Sequence, residues 1–211
     1  KAVVLGIVAG CLAALMACGK KDKGGGAAKA KSKTYAESVD GLKQQIGDLM
    51  VAAKKGQDGV AKAYATEWRL PDSEAWFKKT FGDDRGAKLA GAYKLQQMVI
   101  PEYGKVVEKQ RETGKTDIVV TQLTDPKDGN CRGLQSKALQ AMKSKVTLYD
   151  VRLVKPGKEL GYSIWSFVYV GKKFRLIGKL RKLNDKPPSK IQKAFDELPR
   201  KIVLKMLGKK K

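Results

Sequence analysis

No histidine occurs anywhere in the 211 residues. The commonest general base near neutral pH and the commonest metal ligand are therefore missing. This excludes Ser-His-Asp and Cys-His catalysis, and any zinc site built on imidazole. Cysteine is nearly as scarce, with Cys11, Cys18 and Cys131 alone. The first two lie in an apolar leader, so the body of the chain holds one thiol and no disulfide to staple it. Acidic residues are few as well: 21 Asp plus Glu stand against 44 Lys plus Arg, for a net charge of +23. Lys1 is the only charged residue before Lys20, which leaves +22 from Cys18 onward. Such an excess favours anionic partners, whether acidic lipid, phosphorylated glycan, acidic protein or nucleic acid, without choosing among them.

What is present suffices for one domain. Hydrophobic residues make up 42% of the chain, enough for a core that needs no covalent help. Residues 1–17 read KAVVLGIVAGCLAALMA, one lysine followed by an unbroken apolar and small-residue run. The run is shorter than the roughly 20 residues that span a bilayer core, and has the parts of an export signal. Its end, Leu15-Met16-Ala17-Cys18, places an aliphatic residue three before the cysteine and a small one just before it. This motif resembles the lipobox of bacterial lipoproteins. The resemblance implies diacylglyceryl transfer to the Cys18 sulfur, cleavage after Ala17 and a membrane anchor through that lipid. Two or three acyl chains hold stably where one does not, at about 0.8 kcal/mol per buried methylene. Gly19 stands where an aspartate is associated with inner-membrane retention, which favours the outer membrane, facing the periplasm. Nucleic acid is disfavoured as a partner by that location.

The expected organisation is a signal peptide over 1–17, a lipidated cysteine and Lys/Gly-rich tether over 18–34, an α+β domain over 35–185 and a basic amphipathic tail over 186–211. From Tyr35 the apolar residues Val39, Leu42, Ile46, Leu49 and Met50 recur at helical spacing. Gly56, Pro71 and Gly82 punctuate further short helices, and Arg85 to Thr113 reads as one long helix kinked at Pro101. After Gly114 the character changes. Residues 117–123, 145–154 and 160–170 read as strands, and Gly171-Lys172 turns the last into a returning strand over 173–183. Helices first and a meander afterwards predict an α+β fold, with N-terminal helices on one face of a curved antiparallel sheet that ends in a long hairpin.

The early aromatics Trp68, Trp76-Phe77 and Phe81-Gly82, with the late hairpin Trp165 to Gly178, resemble the nuclear transport factor 2-like superfold in outline. The resemblance implies a cone-shaped cavity but no particular activity, because the fold hosts unrelated functions. Strict alternation puts Trp165, Phe167 and Tyr169 on one strand face, opposite Tyr162, Ile164 and Val168. Those three are the expected lining of a pocket for a small apolar ligand or lipid. Asp72, Glu74, Asp83 and Asp84 sit at helix starts, where capping and the helix dipole account for them. Cys131 lies in a turn beside Arg132, a cation that would lower a thiol pKa; without a second cysteine or a histidine it reads as an inert loop thiol. No residue is nominated as catalytic, metal-ligating or cofactor-binding. The function expected is a non-enzymatic, membrane-anchored binding or scaffold domain of the cell envelope. The alternative is a cone that binds a small apolar ligand or lipid, with an enzyme in that cone behind it.

Overall fold

Leu42, Ile46 and Leu49 come together on the buried side of a sixteen-residue helix, α1 (Val39–Lys54), as their spacing requires. The computed structural model describes residues 33–54, 56–131 and 133–183; the leader, Cys18, nearly all of the tether and the basic tail lie outside the described residues. Four further helices follow, α2 (Asp58–Thr66), α3 (Ser73–Phe81), α4 (Asp83–Val99) and α5 (Tyr103–Glu112). Gly82, at φ 84°, ends α3 and starts α4, a backbone state that favours a residue without Cβ. Gly86 lets the two helices close on each other, because a Cβ there would run into the Lys78 backbone. The stretch 85–113 is two helices rather than one. A 3-10 turn over Ile100–Glu102 separates them at Pro101, whose ring and missing N–H break the ladder.

The sheet is a meander of order β1-β2-β3-β4, antiparallel throughout, built from β1 (Asp117–Leu123), β2 (Leu148–Val154), β3 (Gly161–Val170) and β4 (Lys173–Leu176). Together with the helices it makes the α+β fold. Gly171 and Lys172, at φ 61° and 60°, form the tight turn between the last two strands, the left-handed pair that matches strand twist. The returning strand stops at Leu176, well short of Leu183, because Gly178 and Leu180 are left-handed (φ 71° and 48°). A helix with no counterpart in the sequence reading, α6 (Leu134–Ala141), crosses between β1 and β2.

One sheet face carries Ile118, Val120, Tyr149, Val151, Leu153, Ile164, Phe167, Phe174 and Leu176 and meets the N-terminal helices. Trp68, after α2, sets its ring edge against Phe167 at 5.2 Å. The opposite face, with Leu123, Leu148 and Val168, is approached by α6, whose Gln135 donates to Asp150 at 3.1 Å. Both faces are therefore covered, and the core is continuous across the sheet.

The β4 edge is closed by three segments that are not strands. Tyr35 N–H donates to the Lys172 carbonyl at 3.1 Å, and Leu176 N–H to the Trp68 carbonyl at 2.8 Å. Between them the Gln45 side chain acts as a short piece of strand: its Nε2 donates to the Phe174 carbonyl and its Oε1 accepts the Phe174 N–H, both at 2.9 Å. Gln45 is 3% exposed, so neither bond has water as a substitute. Gln45→Ala orphans two buried backbone groups, and should lower stability by about 2–4 kcal/mol in urea denaturation with the m-value unchanged.

Candidate functional site

Tyr162, Ile164, Phe167 and Tyr169 of β3 share one face of the sheet, opposite Leu153, Val151, Tyr149 and Phe174, although they are spaced two, three and two. Strict alternation cannot put this set on one face; one extra residue between Ile164 and Phe167 can. The strand supplies it as a bulge. Ile164 pairs with Val151 and Phe167 with Tyr149, leaving Trp165 and Ser166 opposite the single residue Asp150. Ser166 takes the left-handed conformation (φ 46°), and its carbonyl accepts the N–H of Ile177 at 2.9 Å. The expected single-face lining by Trp165, Phe167 and Tyr169 is thereby corrected. Ile164 and Phe167 are buried on the helical face, and Trp165 belongs to the other side.

The three aromatics have separate surroundings. Phe167 is core, against Trp68. Tyr169 lies at 5.0 Å from the Phe174 ring, and its hydroxyl donates to the Tyr35 carbonyl at 2.6 Å. Trp165 is half-buried beneath the Lys179 ammonium, 4.8 Å from its ring centroid. Burial and the charge of Arg181 both push the Lys179 pKa down. An indole face with an ammonium above it suits an anionic or amphipathic ligand.

The start of the domain is pinned beside the same hairpin. Tyr35 is 7% exposed, and its hydroxyl donates to Asp48 of α1 at 2.8 Å. Lys33 pairs with the same carboxylate at 2.9 Å, so the docked chain includes a residue two positions before the domain start that hydropathy implies. Burial first, then Asp48, raises the Tyr35 pKa, which keeps its hydroxyl a donor. Nearby, Arg175 of β4 donates to the carbonyls of Val170, Glu67 and Arg69, and Lys173 pairs with Glu67. These cations hold the segment after α2 against the sheet edge.

A second cluster was not visible in the sequence pattern, because its members come from three distant segments. The fully buried Trp68 packs at 5.6 Å from Tyr103 of α5 and at 5.2 Å from Phe167. Burial first, and then the neighbouring Tyr162 of β3, push the Tyr103 pKa up to about 12. The Trp68 Nε1 has no hydrogen-bond partner among the described residues. A buried indole N–H usually finds one.

The acidic residues stay at the helix starts, but the expected side-chain capping is corrected. Asp72 occupies the N-cap position of α3 but is left-handed and makes no side-chain cap, and Gly82 rather than an aspartate precedes α4. Glu74, Asp83 and Asp84 lie in first turns, where the dipole favours them, and Glu74 pairs with Lys78 at 2.8 Å. Among the described residues no group of three or more Cys, Asp or Glu is placed to hold a metal ion, and no helix is long and apolar enough to cross a membrane. Cys131 is a free, half-buried thiol whose pKa is raised by burial and by Asp128 and Asp125, the reverse of the shift expected from a neighbouring cation. At about pH 8 iodoacetamide should therefore alkylate Cys131 more slowly than free cysteine, with a rate still climbing as pH passes the ordinary thiol range; mass spectrometry of timed samples measures it. Comparison with protein-family models, curated proteins and solved structures finds no match to this chain.

Proposed function

We propose that this protein is a lipoprotein of the bacterial cell envelope, anchored through lipid on Cys18, whose α+β domain is a non-enzymatic binding or scaffold module for an anionic partner. The observation that carries the reading is the order of segments in the sequence: an apolar run, Leu15-Met16-Ala17-Cys18, a polar lysine-rich stretch, and then a folding domain. Lipid at Cys18 fixes the protein to a leaflet, the outer membrane facing the periplasm being favoured. The charge of +22 from Cys18 onward supplies long-range attraction for acidic lipid, glycan or protein. The Trp165–Lys179 pair offers a local contact for such a partner. The likeness to the nuclear transport factor 2-like superfold belongs to this reading as an outline of helices followed by a hairpin.

Intact mass of the membrane-extracted protein, beside a Cys18→Ser variant, tests the anchor. The expected species begins at Cys18 and carries acyl mass that the variant lacks. A wild-type chain without acyl mass, or one that retains residues 1–17, sinks the reading.

The orphan Trp68 N–H favours a second reading, a small apolar ligand with an acceptor oxygen seated among Trp68, Tyr103 and Tyr162. On titration with benzoate or phenol, the indole N–H resonance assigned by Trp68→Phe should shift saturably. A resonance indifferent to both probes ends this reading.

A further inference from the structure

The two edges of the sheet are treated differently. At β4 the outward backbone groups are taken by Tyr35, Gln45 and Trp68. At β1 every residue from Asp117 to Leu123 pairs with β2, and the outer side makes no hydrogen bond to another described segment. Exposed edges are ordinarily blunted by lysine, proline, a bulge or a covering element. Residues 117–123 read DIVVTQL, with no lysine, arginine, proline or glycine, in a chain that has 44 Lys plus Arg. Their register with β2 is unbroken over all seven residues. Such a strand is a template for another strand.

We propose that β1 pairs antiparallel with β1 of a second copy of this chain, joining the two four-stranded sheets into one of eight strands. The strand is complementary to itself about Val120. In that register Val120 faces Val120, Val119 faces Thr121, Ile118 faces Gln122 and Asp117 faces Leu123, so no two like charges are opposed. The symmetry axis runs normal to the sheet and leaves both helical layers on the same side. There α1 adds a second contact. Gly47 of α1 lies over Ile118, a Cβ at residue 47 coming 4.0 Å from the Ile118 Cδ1. One turn further on, Val51 is a large apolar side chain left 53% exposed. The two copies would bring their Val51 side chains together above the seam.

Each copy carries a charge of +22 from Cys18 onward, so long-range repulsion opposes a contact made by backbone pairing and apolar side chains. Salt screens that repulsion. Added salt therefore strengthens this dimer, the opposite of its effect on a complex held by ion pairs.

The test uses the full chain with Cys11, Cys18 and Cys131 replaced by serine, handled in detergent. Val120→Cys should oxidise to a disulfide-linked dimer, since opposed residues of an antiparallel pair lie about 4.5–5.5 Å apart at Cα. Ile118→Cys should not, because the two copies of residue 118 are more than about 13 Å apart in this register. Sedimentation of the cysteine-free chain should show a monomer–dimer equilibrium that moves toward dimer with salt. Val51→Lys, at an exposed position that leaves folding intact, should weaken it roughly tenfold. Equal crosslinking at 118 and 120, a monomer at every salt concentration, or protection from hydrogen exchange, in an isolated monomer, of the β1 amides that point away from β2 would each overturn the proposal. The last outcome would assign the edge to another segment of the same chain.

Discussion

The Gln45 amide on the Phe174 backbone is the contact on which the rest of the fold hangs. A sheet that packs helices across one face still has open ends to its ladder, and β4, only four residues long, is the more precarious of the two. A primary amide offers an N–H and a carbonyl set like those of a peptide unit, so a glutamine projecting from α1 can complete a strand without being one. The same two bonds fix the distance and rotation of α1 against the sheet. Leu42, Ile46 and Leu49 are buried on the same side of the helix as this polar contact. Buried hydrogen bonding confers specificity of this kind when every group is satisfied.

Around this contact the chain arranges its cations in two ways. A few are built into the framework: Arg175 ties three carbonyls of neighbouring segments together, and Lys173 is buried against Glu67. Among the described residues others face solvent, some in pairs such as Lys43 with Asp40 and Lys105 with Glu102 that contribute little to stability. Among the described residues the solvent-facing cations are available for long-range attraction, while the interior depends on apolar packing and a small number of directed bonds.

Much of the fold was legible in the sequence because its signals are local. Helical spacing in 39–50, the glycine at 82, the Gly171-Lys172 turn and the β-branched run at 117–123 each specify a conformation from neighbouring residues alone. Other features are not local. The α6 segment, LQSKALQA, is only eight residues long, and Gln135 ties it to Asp150 on β2. The expected pocket lining went wrong at one residue, because Ser166 shifts the phase of β3 and carries Trp165 away from Phe167. No signal for the bulge stood out, because Trp165, Phe167 and Tyr169 alternate strictly in the same segment. The Trp68 cluster had none, since proximity across three elements leaves no trace in spacing.

The way the chain enters the domain has a mechanical side. Among the described residues, a pull from the N-terminal direction meets Lys33 and Tyr35 first, which are fastened to Asp48 on one helix and to Lys172 and Tyr169 on the hairpin. The load is shared at once between a helix and the last two strands, rather than falling on a single terminal turn. Because the Tyr35–Lys172 bond lies at the rim of the ladder, force applied there would peel the hairpin edge before it reached the Gln45 contact further in. The first residues of the domain are thus a fuse for the fold behind them.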